Sequence, residues 1–539
     1  MIFELLKLLW LHNRRKETHS EAKPQENSAS PNSNIGPLLS DKLAMLKQRM
    51  GNSSDFVIRE ISDSSGAPYP YAISYIDGLI DQNLLADLME SLTSVFGKSF
   101  HGDGNVDPSV WFKDKLPVGN LNVVFSEEEM LRTILEGQAL VIIHGVHEAF
   151  GVSILGGPRR AVEEPTSQTV VRGPKEGFTE DISTNISLIR RKIRSADLRF
   201  ESRIVGEYTQ TKISVAYIKG IANPEVVDEV LSRIDRIQTD GILESGYIEE
   251  FIQDGVRSTF PTVYNTERPD TVAGGLLEGL VAILVDGTPF TLTAPVTFFR
   301  FIVSSEDYYQ RYDLATFLRI IRFVSFFVAL LLPSIYIATT TFHQEMLPTT
   351  LLIALAAQRE STPLPALLEA LVMEITFEVI REAGVRMPRA IGPAISIVGA
   401  LVLGQAAVQA GIVSAAMVIV VSFTAISNFV LPSINMAAAV RLLRFILMFL
   451  AGTLGLFGIL AGLIPILTHM AALQSFGVPY LMPLAPFNKT NMKDFILRAP
   501  WWKMKTRPVM IGDENQVRQS ADPKSYAQQA TEHNKDPLR

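Results

Sequence analysis

An otherwise apolar stretch of the chain, residues 367–384, carries four carboxylates, those of Glu369, Glu374, Glu378 and Glu382. On a helix that turns by about 100° per residue, Glu374, Glu378 and Glu382 lie within about 80° of one another, with Arg381 beside them. A carboxylate at bilayer depth costs about 2.5–3.5 kcal/mol or more, so such side chains normally face water, a partner or a pathway. Two interpretations follow. The stretch is an amphipathic helix on the cytoplasmic membrane surface with wet carboxylates, or it lines an aqueous vestibule or pore in which carboxylate rings favour cations.

Side chains that could carry out a covalent reaction are not grouped in a recognisable motif. The chain has no cysteine, which excludes disulfides, thiolate metal sites and cysteine nucleophiles. It contains no Walker-type loop, no G-x-S-x-G, no H-E-x-x-H and no G-x-G-x-x-G. His144 and His147 lie in a predicted hairpin turn without a third ligand in sequence, so a metal site is not expected there. We therefore expect a protein that is not an enzyme and holds no cofactor or metal.

Charged residues are distributed unevenly along the 539 residues, of which 47% are hydrophobic and 19% charged. Nearly all acids and bases come before Arg322 or after Lys489. This asymmetry predicts a soluble part, a membrane part and a short soluble tail. The formal net charge of −7 argues against a nucleic-acid-binding protein, which usually presents a concentrated basic surface.

An internal repeat organises the soluble part. The segment ISYIDGLIDQNLLADLMESL at Ile73 recurs as VAYIKGIANPEVVDEVLSRI at Val215, and LEGQALVIIHG at Leu135 recurs as LEGLVAILVDG at Leu277. Both pairs are separated by the same 142 residues (73 to 215 and 135 to 277), which chance does not readily explain. The fold class predicted is therefore a tandem of α+β cytoplasmic domains, residues 41–175 and 176–319, followed by an α-helical multi-pass membrane domain. Residues 1–40 are expected to form an N-terminal amphipathic segment and a flexible linker.

Each copy has the same predicted elements. A strand that ends at a glycine turn, Ala72–Gly78 or Val215–Gly220, is followed by an amphipathic helix and later by a β-hairpin. The second hairpin turns at Asp286–Gly287, a strong hairpin signal. Between the copies, Thr184 or Asn185 is expected to cap a helix with the basic run Arg190, Arg191, Lys192 and Arg194. That run contacts lipid phosphates or an acidic partner, or it is the solvated face of a helix joining the domains.

The membrane part is predicted over residues 320–487, with about four to six membrane segments. Stretches long enough to cross a bilayer are Phe323–Thr341, Ala390–Gln409, Ile412–Ile434 and Phe445–Thr468. The shorter Met346–Ala357 is expected to be a tilted or re-entrant segment. The proline-broken stretch Ala471–Phe487 either returns across the membrane or lies at its surface.

Lysines and arginines near these stretches predict the orientation. Basic residues precede three of the apolar stretches, whereas the connections at residues 342–348, 409–411 and 469–474 contain none. By the positive-inside rule, the duplicated part and the basic tail, residues 488–539, are cytoplasmic. A cytoplasmic tail then requires residues 471–487 to cross, or nearly cross. Trp501 and Trp502 in the tail suit an anchor at the level of the lipid headgroups.

Several longer motifs resemble one family, the A subunits of the GerA-type nutrient germinant receptors of spore-forming bacteria. The resemblance extends from about Asp41 to Pro508, and its most specific motif is FPTVYNTERPDTVAGGLLEGLVAILVDGTPFTLTAPVTFF, residues 260–299. Supporting matches include GFTEDISTNISLIRRKI at Gly177 and APWWKMK at Ala499. A candidate gating or assembly motif lies inside the longest match and consists of Glu267, Arg268, Pro269, Asp270, Asp286 and Gly287.

The resemblance implies an integral protein of the spore inner membrane that works with a transporter-like B subunit and a lipoprotein C subunit. Such receptors sense small nutrients, release monovalent cations and trigger exit from dormancy. In this family the B subunit is thought to bind the nutrient, and the A subunit is thought to form a homo-oligomeric channel in the membrane lipids. This implication favours the pore interpretation, so the candidate ion pathway consists of Glu369, Glu374, Glu378 and Glu382.

Two other functions remain open. In the first, the chain would be a non-conducting scaffold that assembles the receptor around its transporter-like partner, and the conduction path would lie elsewhere. A secondary transporter with its own substrate site would show paired broken helices in two membrane repeats. No such symmetry is visible after Arg322.

Overall fold

The computed structural model describes residues 36–51, 53–61, 71–98, 121–154, 156, 164–165, 168–360, 362–387, 402–508 and 515–519. Three predicted features fall largely or wholly outside these residues. They are the N-terminal segment over 1–40, most of the span predicted at Ala390–Gln409, and the end of the tail.

In the residues that the structure describes, the first α+β unit contains one antiparallel sheet and three helices. Its elements are α1 (Leu39–Met50), β1 (Phe56–Ile61), β2 (Tyr71–Ile76), α2 (Gln82–Lys98), β3 (Leu121–Val124), α3 (Glu127–Leu135), β4 (Ala139–Ile143) and β5 (Ala149–Val152). The strand order is β1-β2-β4-β5-β3, and every neighbouring pair is antiparallel. Both β2 and β4 are buried along their whole length, because helices or loops cover both faces of the sheet centre.

The second α+β unit repeats this arrangement. Its elements are α4 (Ile182–Lys192), β6 (Leu198–Val205), β7 (Thr211–Ile218), α5 (Pro224–Asp235), α6 (Ser245–Ile252), β8 (Tyr264–Thr266), α7 (Pro269–Glu278), β9 (Val281–Val285) and β10 (Thr291–Ala294). The strand order β6-β7-β9-β10-β8 matches that of the first sheet strand for strand. The predicted hairpins are confirmed as the antiparallel pairs β4–β5 and β9–β10.

The helix between the units begins earlier than predicted. Its N-cap is Asp181, whose carboxylate accepts hydrogen bonds from the backbone N–H of Thr184 at 2.7 Å and from its hydroxyl at 2.6 Å. The expectation that Thr184 or Asn185 caps the helix is therefore wrong. Asp is as good an N-cap as Ser or Thr, and it precedes the first apolar residue, Ile182.

The helical region follows the second unit. It contains α8 (Tyr312–Thr341), α9 (Thr349–Arg359), α10 (Ala366–Arg386), a helical piece at 402–409, α11 (Ala415–Phe429) and α12 (Ile434–Ala472). Two of these helices, α8 and α12, are long and apolar enough to cross a membrane. Helix α8 begins before the predicted stretch Phe323–Thr341. The prediction of one crossing over Phe445–Thr468 is wrong, because α12 turns at Gly455, inside that stretch.

Helix α12 is a hairpin of two helical halves that meet at Gly455. The backbone there has φ 64° and ψ −143°, a conformation open essentially to glycine alone. Beyond it, Gly462 faces the side chains of Leu447 and Leu450 at 2.6 and 2.9 Å from its ideal Cβ position. In one straight helix, residues 447 and 462 would stand about 22 Å apart. The second half therefore packs back along the first.

This hairpin returns the chain to the second α+β unit. Asn435, at the start of α12, is bonded to Glu249, and His469, near its end, lies 2.8 Å from Ser258. The turn at Gly455 lies beside His343, just past the end of α8.

The stretch Ala471–Phe487, for which a crossing and a position at the membrane surface were both open, packs on the second unit. It contains the short antiparallel pair β11 (Gln474–Ser475) and β12 (Val478–Pro479). The Ser475 hydroxyl donates to the Thr262 carbonyl at 2.7 Å, and the Tyr480 hydroxyl donates to the Pro261 carbonyl at 2.8 Å. The second half of α12 brings the chain back to the second unit before this stretch begins.

Candidate functional site

Helix α10 presents Glu369 and Glu374 to the interior of the helical region and several apolar side chains outward. Val372, Ile375 and Val379 are exposed, the last at 62%. Glu369 and Glu374 are 0% and 1% exposed. An amphipathic helix on a wet surface turns its acids toward water and its apolar side chains away from it. At these two glutamates α10 shows the reverse arrangement.

Glu369 caps the helix packed against α10. Its Oε1 accepts hydrogen bonds from both the backbone N–H and the hydroxyl of Ser414, each at 2.5 Å. Ser414 is the N-cap of α11. A carboxylate at this position is stabilised by the positive end of the α11 dipole. It also provides an acceptor at the helix end where backbone N–H groups lack partners within the helix.

Glu374 and Glu378 lie together with arginines from two helices, a group that we call the inner cluster. Glu374 Oε2 is 2.8 Å from an Nη of Arg444, and both side chains are 1% exposed. Glu378 is 2.5 Å from Arg381, 3.2 Å from Arg441 and 3.7 Å from Arg444. The inner cluster thus joins α10 to the first half of α12.

The formal charges in the inner cluster do not favour cations in this conformation. It contains two carboxylates and three guanidinium groups, so its formal charge is +1. Arginine suits such a site because its planar, permanently charged group donates to several oxygens at once. Among the described residues, Glu374 Oε1 and Glu378 Oε1 accept no hydrogen bond, so each carboxylate retains an acceptor for another partner.

Glu382 stands apart from the other three glutamates. It is exposed and pairs with Arg386 one turn later, at 2.7 Å. The structure therefore places Glu374 and Glu378 in one cluster, Glu369 at a helix cap near it, and Glu382 at the surface. The role of all four as an ion pathway stays a prediction. Arg441 and Arg444 are among the basic residues that precede the predicted apolar stretches. Besides the orientation, two arginines in an apolar helix indicate buried partners.

The first part of the candidate motif, Glu267 to Asp270, forms the junction between the second unit and the helical region. The buried Arg268 guanidinium donates to the Pro174 carbonyl and to Asp270, both at 2.8 Å. The Tyr309 hydroxyl, three residues before α8, donates to the same Asp270 oxygen at 2.6 Å. Burial and the nearby carboxylate raise the pKa of Tyr309, so its hydroxyl stays protonated. Pro269 occupies the first turn of α7, and the Glu267 carbonyl accepts from the Phe178 N–H at 2.8 Å.

The Asp286–Gly287 turn holds the helix between the units. Asp286 accepts from the Ile182 N–H at 3.2 Å, and the Gly287 N–H donates to the Glu180 carbonyl at 2.8 Å. A cavity of 230 Å³ beside Arg268 is lined also by Tyr264, Thr271 and residues 429–432 of the α11–α12 connection. Both parts of the motif thus connect the units to each other or to the helices.

A second buried charge cluster, which the sequence did not reveal, lies where α8 begins. Arg319 is fully buried, with its Nε 2.9 Å from Asp307 and an Nη 2.6 Å from Asp494 of the tail. Arg322 also pairs with Asp307, at 2.8 Å. The residues are far apart in sequence, and only their placement in the fold shows that they form one site.

Glu249 of α6 links the second unit to α12. Its carboxylate accepts from the Asn435 amide at 3.2 Å and from the Asn265 amide at 3.5 Å. Burial raises the pKa of Glu249 to about 7. This contact joins a titratable group of the second unit to the start of a helix long enough to cross a membrane.

No metal centre is evident in the part of the chain that the structure describes. There, no three His, Asp or Glu side chains are grouped so that they could hold a metal ion.

Comparisons with known proteins give a consistent result. The sequence profile of the family described as Bacillus/Clostridium GerA spore germination protein matches residues 44–510. Spore germination protein KA of Bacillus subtilis (strain 168) is 47% identical over 489 residues, which cover 90% of this chain and 89% of that protein. The uncharacterized membrane protein YfkQ of the same organism is 44% identical over 475 residues, covering 88% and 91%.

One solved structure is also similar in sequence. It is the N-terminal domain of the A subunit of the Bacillus megaterium spore germinant receptor GerK3, which is 39% identical and matches 49% of this chain and 98% of that domain, with a TM-score of 0.39.

Proposed function

The chain belongs to the GerA family of spore germination proteins, and we propose that it is the germinant-receptor A subunit that forms a nutrient-gated pathway for monovalent cations. The observation that carries the proposal is the buried pair of Glu374 and Arg444, 2.8 Å apart. A buried ion pair adds little to stability compared with apolar packing, whereas it gives two helices a charge contact that is either formed or broken.

The proposed closed state is the arrangement of the inner cluster. Glu374 and Glu378 form ion pairs with Arg444 and Arg441. Because these pairs neutralise the carboxylates, they do not attract cations in this state. A shift of α10 relative to the first half of α12 would separate the pairs and expose the carboxylates to the pathway. Glutamates freed in this way would form acidic rings in a homo-oligomer and would favour cations over anions.

The junction offers a route from the cytoplasmic units to the inner cluster. Asp270 contacts Tyr309 just before α8, and the cavity beside Arg268 reaches the connection between α11 and α12. Glu249 contacts the first turn of α12, whose third turn carries Arg444. We infer that nutrient binding to a partner subunit shifts the two units, and that this shift moves α12. A differential affinity of a few kcal/mol between the two states is enough for such a change.

The membrane topology is part of the proposal. Six crossings would be made by α8, α10, the span that the sequence predicts at Ala390–Gln409, α11 and the two halves of α12. Both α+β units and the tail would then lie on the cytoplasmic side. The contacts of Asn435 and His469 with the second unit support this arrangement. The matching strand orders of the two sheets support the proposal that the units arose by duplication.

The setting proposed is the spore inner membrane. There the chain would work, without enzymatic activity or a cofactor, together with a transporter-like B subunit and a lipoprotein C subunit. The chain would supply the conducting homo-oligomer, and the B subunit would bind the nutrient.

Cation flux through proteoliposomes that contain the chain and its partner subunits tests the pathway. The double variant Glu374→Gln with Glu378→Gln removes both carboxylates, and Glu60→Gln is the matched control because its exposed ion pair with Lys47 lies in the first α+β unit. We expect flux without nutrient and a weaker preference for potassium over chloride in the double variant, and wild-type behaviour in the control. Unchanged gating and ion preference in the double variant would contradict the assignment.

The scaffold remains the second candidate function, supported by the +1 formal charge of the inner cluster. If wild-type chain with its partners passes no cations in any nutrient, while the same partners assemble only in its presence, the scaffold is the better description.

A further inference from the structure

The described part of the tail presents aromatic residues beside the first turns of α8. Trp501 and Trp502 are 41% and 38% exposed, and Leu497 is 63% exposed. Large apolar side chains in such a group normally have an apolar partner. Each indole contacts described side chains on one side, Trp501 those of Tyr308 and Arg518 and Trp502 that of Tyr312. The rest of each indole is open to an apolar partner.

Contacts with α8 and with the residues just before it place these side chains beside the start of that helix. The rings of Trp502 and Tyr312 are 5.9 Å apart and nearly perpendicular. The Trp501 indole N–H donates to the Tyr308 carbonyl at 3.3 Å, and the backbone N–H of Arg498 donates to the Thr316 hydroxyl at 3.2 Å. The tryptophans therefore lie at the start of a helix that is long and apolar enough to cross a membrane.

The exposed apolar surface continues up α8. Leu314 and Phe317 are exposed in its first two turns, and Val324 and Phe327 are exposed in the turns that follow. A surface that runs from tryptophan and tyrosine into aliphatic and phenylalanine side chains fits the passage from lipid headgroups into the hydrocarbon layer.

The same segment carries a concentrated positive charge. Residues 488–508 contain six lysines and arginines and a single acid, Asp494. That acid is turned inward, where it pairs with Arg319 and accepts from the Tyr308 hydroxyl. Lys493 and Lys503 are exposed, and Lys503 directly follows Trp502.

We propose that Leu497, Trp501, Trp502, Tyr312 and Phe317, together with Lys493 and Lys503, form a headgroup collar that binds the cytoplasmic leaflet and selects anionic phospholipids. The proposal rests on the membrane location proposed above. The indoles contact the interface, and the lysines attract negatively charged headgroups, each basic residue strengthening binding about fivefold.

Tryptophan quenching by brominated lipids tests the collar in the full-length chain reconstituted in vesicles. Trp10→Phe and Trp111→Phe remove the other two tryptophans, so the signal reports Trp501 and Trp502 only. We expect brominated phosphatidylglycerol to quench more strongly than brominated phosphatidylcholine. In Lys493→Gln with Lys503→Gln this preference should fall about fivefold or more. The control, Lys212→Gln with Lys219→Gln, changes two exposed lysines of the second unit and should keep the preference.

Two results would overturn the collar alone. They are equal quenching by the two lipids in the wild type, and a preference that survives in Lys493→Gln with Lys503→Gln, while the chain stays in the vesicles after a carbonate wash. Release of the wild-type chain by that wash would instead refute the membrane location and the collar together. A loss of partner binding without a change in lipid preference would identify the surface as a protein contact and also refute the collar.

Discussion

The Arg190 guanidinium of α4 lies 2.8 Å from Asp55, at the start of the first sheet, and both side chains are almost completely buried. A second contact, also from Arg190, reaches the other carboxylate oxygen at 2.9 Å. The Ser53 hydroxyl oxygen accepts hydrogen bonds from the Arg190 guanidinium and from the backbone N–H of Phe200 in β6. One arginine of the basic run thus joins the two α+β units, which neither a lipid-binding run nor a solvated helix face explains.

Removing one partner of this pair should weaken the connection between the units. Asp55→Asn leaves the buried Arg190 without its counter-charge, so we expect a loss of about 3–5 kcal/mol in the free energy of unfolding. Denaturant unfolding of the detergent-solubilised chain measures it. Glu60→Gln is the control, because its pair with Lys47 is exposed and should contribute at most about 1 kcal/mol. Equal effects of the two substitutions would show that the buried pair is not the connection.

Glu249 should make stability depend on pH. Its pKa is raised by burial from 4.5 to about 7, so between these pH values the folded chain holds a proton that the unfolded chain has lost. Stability contributed by this group is full below about pH 4.5 and is lost as pH rises through 7. Glu249→Gln keeps the neutral form and should raise the free energy of unfolding at pH 8 by about 1–3 kcal/mol, with little change at pH 4.5.

The measurement is unfolding of the chain across pH 4.5–8. Glu250→Gln, at the exposed neighbouring position, should keep the wild-type pH slope. A slope that is the same in Glu249→Gln and wild type would place the titration elsewhere.

Asp494 should hold the tail against α8. It accepts from the Tyr308 hydroxyl at 2.5 Å and pairs with the buried Arg319 at 2.6 Å. We expect Asp494→Asn to release residues 488–508, because a neutral amide does not compensate the arginine. Limited trypsin cleavage after Lys489 and Lys493 should become several times faster. Asp313→Asn changes an exposed pair with Arg311 and should leave the cleavage rate as it is. If both variants are cleaved at the wild-type rate, Asp494 does not secure the tail.

Gly455 should be required for the hairpin of α12. Any other residue at φ 64° and ψ −143° is strained by about 1–3 kcal/mol, and its Cβ would come within 2.7 Å of the His343 ring. Gly455→Ala should therefore lower the melting temperature of the detergent-solubilised chain. Gly404→Ala is the control, since its Cβ would meet only Val418, at 3.7 Å. An unchanged melting temperature in Gly455→Ala would argue against the sharp turn.

The sequence by itself determined the local elements and their grouping. Strands β2 and β7, helices α2 and α5 and both hairpins follow from apolar periodicity and turn residues, which depend on neighbours within a few positions. The charge distribution separated α+β units from a helical region, and four glutamates on α10 stood out because carboxylates are costly among apolar residues.

Only the tertiary structure decided which charges meet. Glu374 pairs with Arg444 and Arg319 with Asp494, partners 70 and 175 residues apart, and no local pattern encodes a contact at such a separation. Likewise, apolar composition predicts one crossing over Phe445–Thr468, whereas a single backbone conformation at Gly455 divides α12 into two halves. Glycine permits that conformation without demanding it, so the packing of α12 against α8 and against itself determines where the chain returns.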